Sequence, residues 1–438
     1  MEIRDVVHGS IFIDPEILPI VDSRYFQRLR HIKQLGFGEY SYPSATHNRY
    51  IHSLGAMHTA TVAWNAVFTK NMPFQLSKDI TRLRSVVRLA ALLHDSGHGP
   101  LSHTSEIAMP PVGKLELPEK WLSKSKDRKA THEDYTLKLI LASGLTKKLE
   151  KAGAQQGFGP QHVVALIEPG IKLEDDFFLE KVDGETIDFR PICQQLISSE
   201  LDADRMDYLR RDSLHAGVSY GQFDFDWLGG NLTCYVQKGK AYLALQHRAL
   251  YSFEDFLISR FHMFLMVYFH HKSVVYDAML GEYFSSPDCD YQIPADVESY
   301  CDFVDAHLYS HLNESKNPWA RRISDKDPYR MLIELHSGIP ATKNAASEQK
   351  QLLESIQDKL NKKGIHYLAA TSTGELSKYF RRPGDPIFVR YNDLYNKPSF
   401  IPLEDCTDLF QKYSEKRSIN RVYVAPEHAK EMANLSAL

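Results

Sequence analysis

Cysteine is scarce. The 438 residues hold five, Cys193, Cys234, Cys289, Cys301 and Cys406, odd in number, far apart and without CxxC spacing. That pattern excludes a disulfide framework and a cysteine zinc knuckle, and it fits reduced thiols in a cytosol. No apolar run approaches the roughly 18 residues that a membrane-spanning helix needs, and Met1-Glu2-Ile3-Arg4-Asp5 does not read as a signal peptide. An excess of basic charge is missing too: the net charge is −4 and the pI about 6.6. Nucleic acid or an anionic membrane is therefore not expected as the main partner, although a local basic patch leaves nucleic acid binding open. Internal repeats and long low-complexity segments are absent as well. What remains, 43% hydrophobic and 25% charged, is the composition of an ordinary globular protein, expected to be soluble and cytoplasmic.

Histidine, by contrast, is abundant. Of twenty, His47, His52, His58, His94, His98, His103 and His132 crowd one early segment. Leu89 to Leu93 run straight into His94-Asp95-Ser96-Gly97-His98-Gly99-Pro100, with His103 just beyond, so a buried helix ends by presenting polar ligands. Imidazole beside carboxylate suits a borderline divalent metal such as Mn, Fe or Zn better than Mg or Ca.

The elements around this motif follow from periodicity. Residues 5 to 13 read as two short strands about a glycine turn, and Phe26, Leu29 and Ile32 are spaced as on a helix capped by Asp22 or Ser23. Residues 36 to 48 read as a loop. A helix is expected from His52, another from Asp79 to Leu93, and one beginning at Thr131 with Asp134 closing a capping box. Between them, residues 104 to 130, rich in proline and lysine, are expected to form a mobile insertion. An acidic loop near 174 to 188, long helices over 192 to 211 and 251 to 280, and a change of texture past about 295 complete the pattern. There, helices near 297 to 313 and 347 to 362 are joined by strands at 365 to 370, 386 to 391 and 421 to 424. The expected fold is mainly α: residues 1 to 290 form a helical catalytic domain with a small N-terminal β-hairpin, and 291 to 438 a smaller mixed α+β lobe serving oligomerisation or regulation.

Four residues could make one metal site: His52, His94, Asp95 and Asp204. Of Asp202 and Asp204, only one can reach a shared metal, because helical geometry turns them apart. An ionised Asp in an apolar frame implies a cation or an arginine partner, and for Asp204 a bond to Arg205 or Arg210 is the plain alternative. His98, His103 and His132 are candidates for proton transfer to a leaving alkoxide, with Glu133 beside His132 to orient a ring. Arg49, Arg205 and Arg260 could clamp phosphate oxygens through their planar forks.

These stretches resemble the HD-superfamily deoxynucleoside triphosphate triphosphohydrolases. The resemblance is carried by Phe26 to Gly36, His47-Asn48-Arg49-Tyr50-Ile51-His52, Leu93 to His103, Thr131-His132-Glu133 and Asp202 to Tyr208, and it covers about residues 3 to 285. It implies metal ligation by His52, His94, Asp95 and Asp204, with the metal one of Mn, Fe, Zn or Mg. Catalytic histidines then fall on His98, His103 and His132, with His103 as proton donor to the 5′ oxygen. Phosphate contacts fall on Arg49, Arg205 and Arg260, and deoxyribose recognition on Gln34, Leu35, Tyr208, Asp212 and Tyr268. The implied reaction is hydrolysis of a dNTP to deoxynucleoside and inorganic triphosphate, in a homo-oligomer such as a tetramer. A guanine-nucleotide or dNTP activator site is implied at Asp22, Gln27, Arg30 and Arg330. Two activator-site positions depart from the family: the basic residue before the first strand falls at Met1, and the lysine after the Tyr-x-His motif falls at His271, with Lys272 next. No SAM module is expected ahead of residue 1. Two other functions fit the residues: a phosphohydrolase of nucleoside monophosphates or cyclic nucleotides, and a nucleotide-sensing scaffold with a vestigial site.

Overall fold

The computed structural model describes residues 1–74, 80–122, 125–337, 343–374, 385–392, 397–409 and 417–432. Its framework is helical: α1 (Arg49–Asn65), α2 (Thr81–Leu93), α3 (His132–Leu141), α4 (Ala203–Ala216), α5 (Leu250–Met263), α6 (His271–Ser285) and α7 (Lys343–Lys362), with shorter helices between. Helix α1 is buried on almost every side, as its run of Ser53, Gly55, Ala56, Ala60 and Ala63 allows, and it packs between α2 and α4. It begins at Arg49 rather than His52, because the Asn48 side chain accepts the Ile51 N–H and caps it. Among the described residues no helix is long and apolar enough to cross a membrane.

Two glycines let ligand-bearing segments approach closely. A Cβ on Gly55 would lie 2.0 Å from Asp207 Oδ1, and one on Gly97 would lie 2.1 Å from the His132 carbonyl. Gly97 thus seats the end of α2 on the start of α3, where its N–H donates to Thr136 Oγ1 and its carbonyl accepts from Tyr300 Oη, 2.7 Å away. Thr131 and Asp134 form the expected capping box of α3.

Several expected elements differ. The single helix over 192 to 211 is two, Arg190–Gln195 and α4, because Asp202 leaves helical geometry to accept the Ser199 and Arg205 N–H groups as the N-cap of α4. The helix over 251 to 280 is interrupted by a π-helical turn at Phe264–Tyr268. Residues 36 to 40 form a 3₁₀ turn inside the expected loop. Ser23, not Asp22, precedes the helical turn Arg24–Gln27, but its hydroxyl donates back to Ile20 O, and Asp22 instead ends an earlier turn, Leu18–Val21. The expected insertion is packed where described: Val112, Leu115 and Leu117 are buried, Pro111 bridges Lys129, and Ser102–Ala108 forms a 3₁₀ helix. Asp79 and Lys124 lie outside the described residues.

Strands β1 (Glu2–Asp5) and β2 (Gly9–Phe12) pair antiparallel as the expected hairpin. Strands β3 (Leu179–Val182) and β4 (Glu185–Asp188) occupy part of the expected acidic loop, and β5 (Leu232–Gln237) and β6 (Lys240–Gln246) form a further hairpin that periodicity did not predict. Its turn, Lys238-Gly239, holds two residues at positive φ, as tight hairpins require. Beyond residue 330, β7 (Arg330–Ser337), β8 (Tyr367–Gly374) and β11 (Arg417–Val424) make a three-stranded antiparallel sheet in the order β7-β11-β8. A small core of its own, Ile356, Leu360, Ile365, Val422 and Val424, joins it to α7. Strands β9 (Phe388–Tyr391) and β10 (Ser399–Pro402) instead extend the sheet containing β6, across the boundary expected at 290. Asp305 crosses it too, accepting the Lys33 and Leu101 N–H groups beside the His-Asp motif.

Gly55→Ala should lower stability by about 1–3 kcal/mol through overpacking against Asp207 and Arg211. Urea denaturation would show this, and an unchanged midpoint would mean that α1 and α4 can separate freely.

Candidate active site

Helix α1 brings His52 inward one turn after its cap. Helix α2 ends at His94, followed by Asp95, and the first turn of α4 supplies Asp204. His52 Nε2 lies 3.0 Å from Asp204 Oδ1 and 3.6 Å from Asp95 Oδ2; His94 Nε2 lies 3.5 Å from Asp95 Oδ1 and 3.4 Å from Asp204 Oδ1. Each ring uses its other nitrogen elsewhere. His52 Nδ1 bonds Asp207 Oδ2 and His94 Nδ1 bonds the Ala91 carbonyl, both at 2.8 Å. Since both partners are acceptors, each Nδ1 carries the proton and each Nε2 lone pair faces carboxylate oxygens. Both Nε2 atoms are buried without a hydrogen-bond partner among the described residues. Lone pairs that converge on carboxylates fit a divalent cation, and two imidazoles with two carboxylates form a donor set suited to Mn, Fe or Zn.

The charges agree. Burial opposes protonation of His52, yet Asp204 and Asp207 raise it to about 10; burial is likewise outweighed at His94, which Asp95 and Asp204 raise to about 9. The imidazoles are drawn toward a proton where a cation would sit. Burial pushes Asp204 up, but His52 and His94 hold it below the usual carboxylate range. Asp202 is not a ligand here but the α4 cap, and Arg205 pairs with Glu200 and Asp202 rather than with Asp204.

Beside this cluster stand three more imidazoles. His98 and His132 are stacked, centroids 3.8 Å apart and 11° from parallel, and His103 meets both edge-on at 4.8 and 4.9 Å. His98 is buried and its Nε2 lies 3.3 Å from Asp95 Oδ1; burial first, then Arg49 and His132, push it well below the usual imidazole value. Side-chain exposure of His103 is 68%, so it alone of the three meets solvent freely. The carboxylate that orients these rings is Glu106, 2.5 Å from His132 Nδ1 and 3.2 Å from His103 Nδ1. Glu133 lines the cavity without bonding its neighbour, because adjacent helical residues point about 100° apart.

A cavity of about 600 Å³ joins the two clusters and is lined by Gln34, Leu35, Tyr208, Asp212 and Tyr268 as well as His94, His98, His103 and His132; His52 lies behind this wall. Asp212 is bonded by His47 and by the Tyr268 hydroxyl, each at 2.7 Å, while Gln34 Oε1 is buried without a partner among the described residues. Of the three arginines expected to meet phosphate, Arg49 lines the cavity, paired with Asp95 and with Ser102 Oγ. Arg205 and Arg260 both bind the buried Glu200, at 3.3 and 2.6 Å, and neither lines it. Gln27 and Arg30 line a separate cavity of about 400 Å³ with Arg24, Arg28 and Asp302. Asp22 is exposed, Arg330 heads β7, and neither lines that cavity. Glu106, Asp207, Glu200 and Asp305 are the residues that sequence reasoning missed. Asp207 alone carried a signal, lying one position before Tyr208 on the helical face shared with Asp204.

No protein-family model matches the chain. It is similar to an uncharacterized protein of Methanocaldococcus jannaschii, 29% identical over 331 residues, 76% of this chain and 59% of that one. It is also similar to the deoxynucleoside triphosphate triphosphohydrolase SAMHD1 of Homo sapiens, 28% identical over 362 residues, 76% of this chain and 54% of that one. The chain thus spans a little over half the length of these curated relatives. A hypothetical protein from Aquifex aeolicus shares its fold, with TM-score 0.72 and 24% identity over 99% of both chains.

Burial raises the Glu106 carboxyl, but hydrogen bonds from His103 and His132 bring it down from 4.5 to about 2. Such a group stabilises the fold fully above its ordinary value and loses that contribution as pH falls toward its native value. Glu106→Gln should therefore cost most stability at neutral pH, and the deficit should shrink between about pH 4.5 and 2. Urea denaturation over a pH series checks this; a deficit of constant size would deny the charge a role.

Proposed function

For a homologue of the deoxynucleoside triphosphate triphosphohydrolases, we propose metal-dependent hydrolysis of a dNTP to deoxynucleoside and inorganic triphosphate. The observation that carries this reading is the pair of Nε2 atoms on His52 and His94, which have no hydrogen-bond partner among the described residues and face Asp95 and Asp204, behind a cavity that His94, Asp95 and Asp204 line with three further histidines. His52, His94, Asp95 and Asp204 would hold a divalent cation, which would supply Lewis acidity and lower the pKa of water.

The chain's own groups supply the rest. Arg49 presents its fork to phosphate oxygens from the cavity wall. Water attacks the α-phosphorus, the bond to the 5′ oxygen breaks, and His103 delivers a proton to that oxygen. His132, gripped by Glu106, stays oriented beside it, with His98 stacked on its face. Arg205 and Arg260 act through Glu200, tying α4 to α5 so that Asp204 and Tyr208 hold their positions. Gln34 and the Asp212–Tyr268 pair offer hydrogen bonds to the 3′-OH, while Leu35 and Tyr208 pack against C2′ and leave no room for a 2′-OH. A guanine nucleotide or dNTP at Gln27 and Arg30, and assembly of several copies, belong to the same reading as its regulation.

His94→Ala and Asp204→Ala should each abolish triphosphate release while circular dichroism stays that of the parent. Deoxynucleotides should exceed ribonucleotides by about 100-fold in kcat/KM, the discrimination a pocket achieves against one added hydroxyl. Chromatography of products from each nucleotide tests both. Orthophosphate in place of triphosphate, or equal rates on ATP and dATP, would overturn the assignment.

A further inference from the structure

The N-terminal hairpin lies some forty residues before the first metal-ligand candidate, yet its turn reaches the centre of the site. His8 Nε2 is 2.6 Å from Asp207 Oδ1. Asp207 is fully buried and also takes His52 Nδ1 at 2.8 Å and Arg211 Nε and Nη2 at 2.9 Å each. A carboxylate only accepts, so His8 and His52 both donate, and the four bonds use all of its lone pairs. Arg211 in turn reaches Asp5, with Nη1 at 2.7 Å from Oδ2. Asp5 Oδ1 accepts the Val7 and His8 N–H groups, which builds the turn that aims His8. The hairpin also grips the other ligand-bearing helix: Arg88 of α2 donates to the Phe12 carbonyl at 2.9 Å and pairs with Asp14.

We propose that His8 is a positioning residue for the metal centre: through Asp207 it holds the tautomer and ring orientation of His52, so that the N-terminal hairpin sets how tightly the metal is held. The inference rests on reading His52, His94, Asp95 and Asp204 as metal ligands. Removing His8 frees one lone pair of Asp207 and lets that carboxylate turn away from His52. The ring then loses the partner that points its Nε2 lone pair inward. Partners one bond removed from a metal ligand typically change metal affinity by about 10- to 100-fold when lost.

The test uses the full chain loaded with Mn(II), titrated with EDTA, with retained manganese measured by mass spectrometry and no nucleotide present. His8→Ala should release its metal at about 10-fold lower EDTA than the parent. His8→Gln, whose amide can still donate to Asp207, should recover most of the loss, and Asp5→Asn should shift retention in the same direction by less. Parent-like retention in His8→Ala overturns the inference. So does equal loss in the Ala and Gln variants when both melt like the parent, because the hydrogen bond would then not be the cause. If His8→Ala does not fold, parent-like retention in both His8→Gln and Asp5→Asn overturns it. A parent chain that retains no manganese removes the metal reading itself, an outcome distinct from tight binding that ignores His8.

Discussion

Three carboxylates, Asp95, Asp204 and Asp207, lie close together within a helical core, and the need to neutralise them governs much of the surrounding architecture. An ionised carboxylate loses several kcal/mol on leaving water unless positive charge or hydrogen-bond donors replace the solvent. Asp207 obtains that replacement within the protein, from Arg211, His8 and His52. Asp95 obtains part of it from Arg49. Asp204, a third of whose side chain is exposed toward the cavity, has the His52 and His94 rings as its near charged neighbours among the described residues. The deficit is local and faces the cavity, where a cation would meet it.

The same constraint explains the strained turn after the motif. Leu101 and Ser102 both adopt positive φ, 54° and 62°, which non-glycine residues avoid. They are held there by Asp305, which accepts the Leu101 N–H, and by Ser102 Oγ, which accepts from Arg49 and donates to the Lys33 carbonyl. The turn swings His103 and Glu106 back over His98 and His132. Segments from both sides of the expected domain boundary thus stabilise one conformation of the loop that carries the proton-transfer candidates.

Which side chains could be ligands was legible in the residues because metal ligation demands particular chemistry at particular places. His94-Asp95 at the end of an apolar run and His52 opposite an apolar-flanked Asp204 carry that demand in their types and surroundings. Main helix positions followed from 3.6-residue periodicity, which burial imposes directly on composition. Breaks in the helices were less legible. Asp202 is a good cap by type, but its capping bonds from Ser199 and Arg205 appear only once the chain turns there. Residues 232 to 246 carried a Lys-Gly turn between strand-forming residues, a signal weaker than the helical periodicity around it.

Alone, then, the sequence determined the inventory: a mainly helical chain with a metal-capable His and Asp set and a cluster of imidazoles, since each is a matter of residue type and short-range spacing. Tertiary structure decided the partners. That Glu106 rather than Glu133 holds His132, that Glu200 engages Arg260, and that His8 reaches Asp207 across 199 positions are long-range choices. Such pairings depend on which buried donors and acceptors are left unsatisfied once the helices pack, and no local pattern records that.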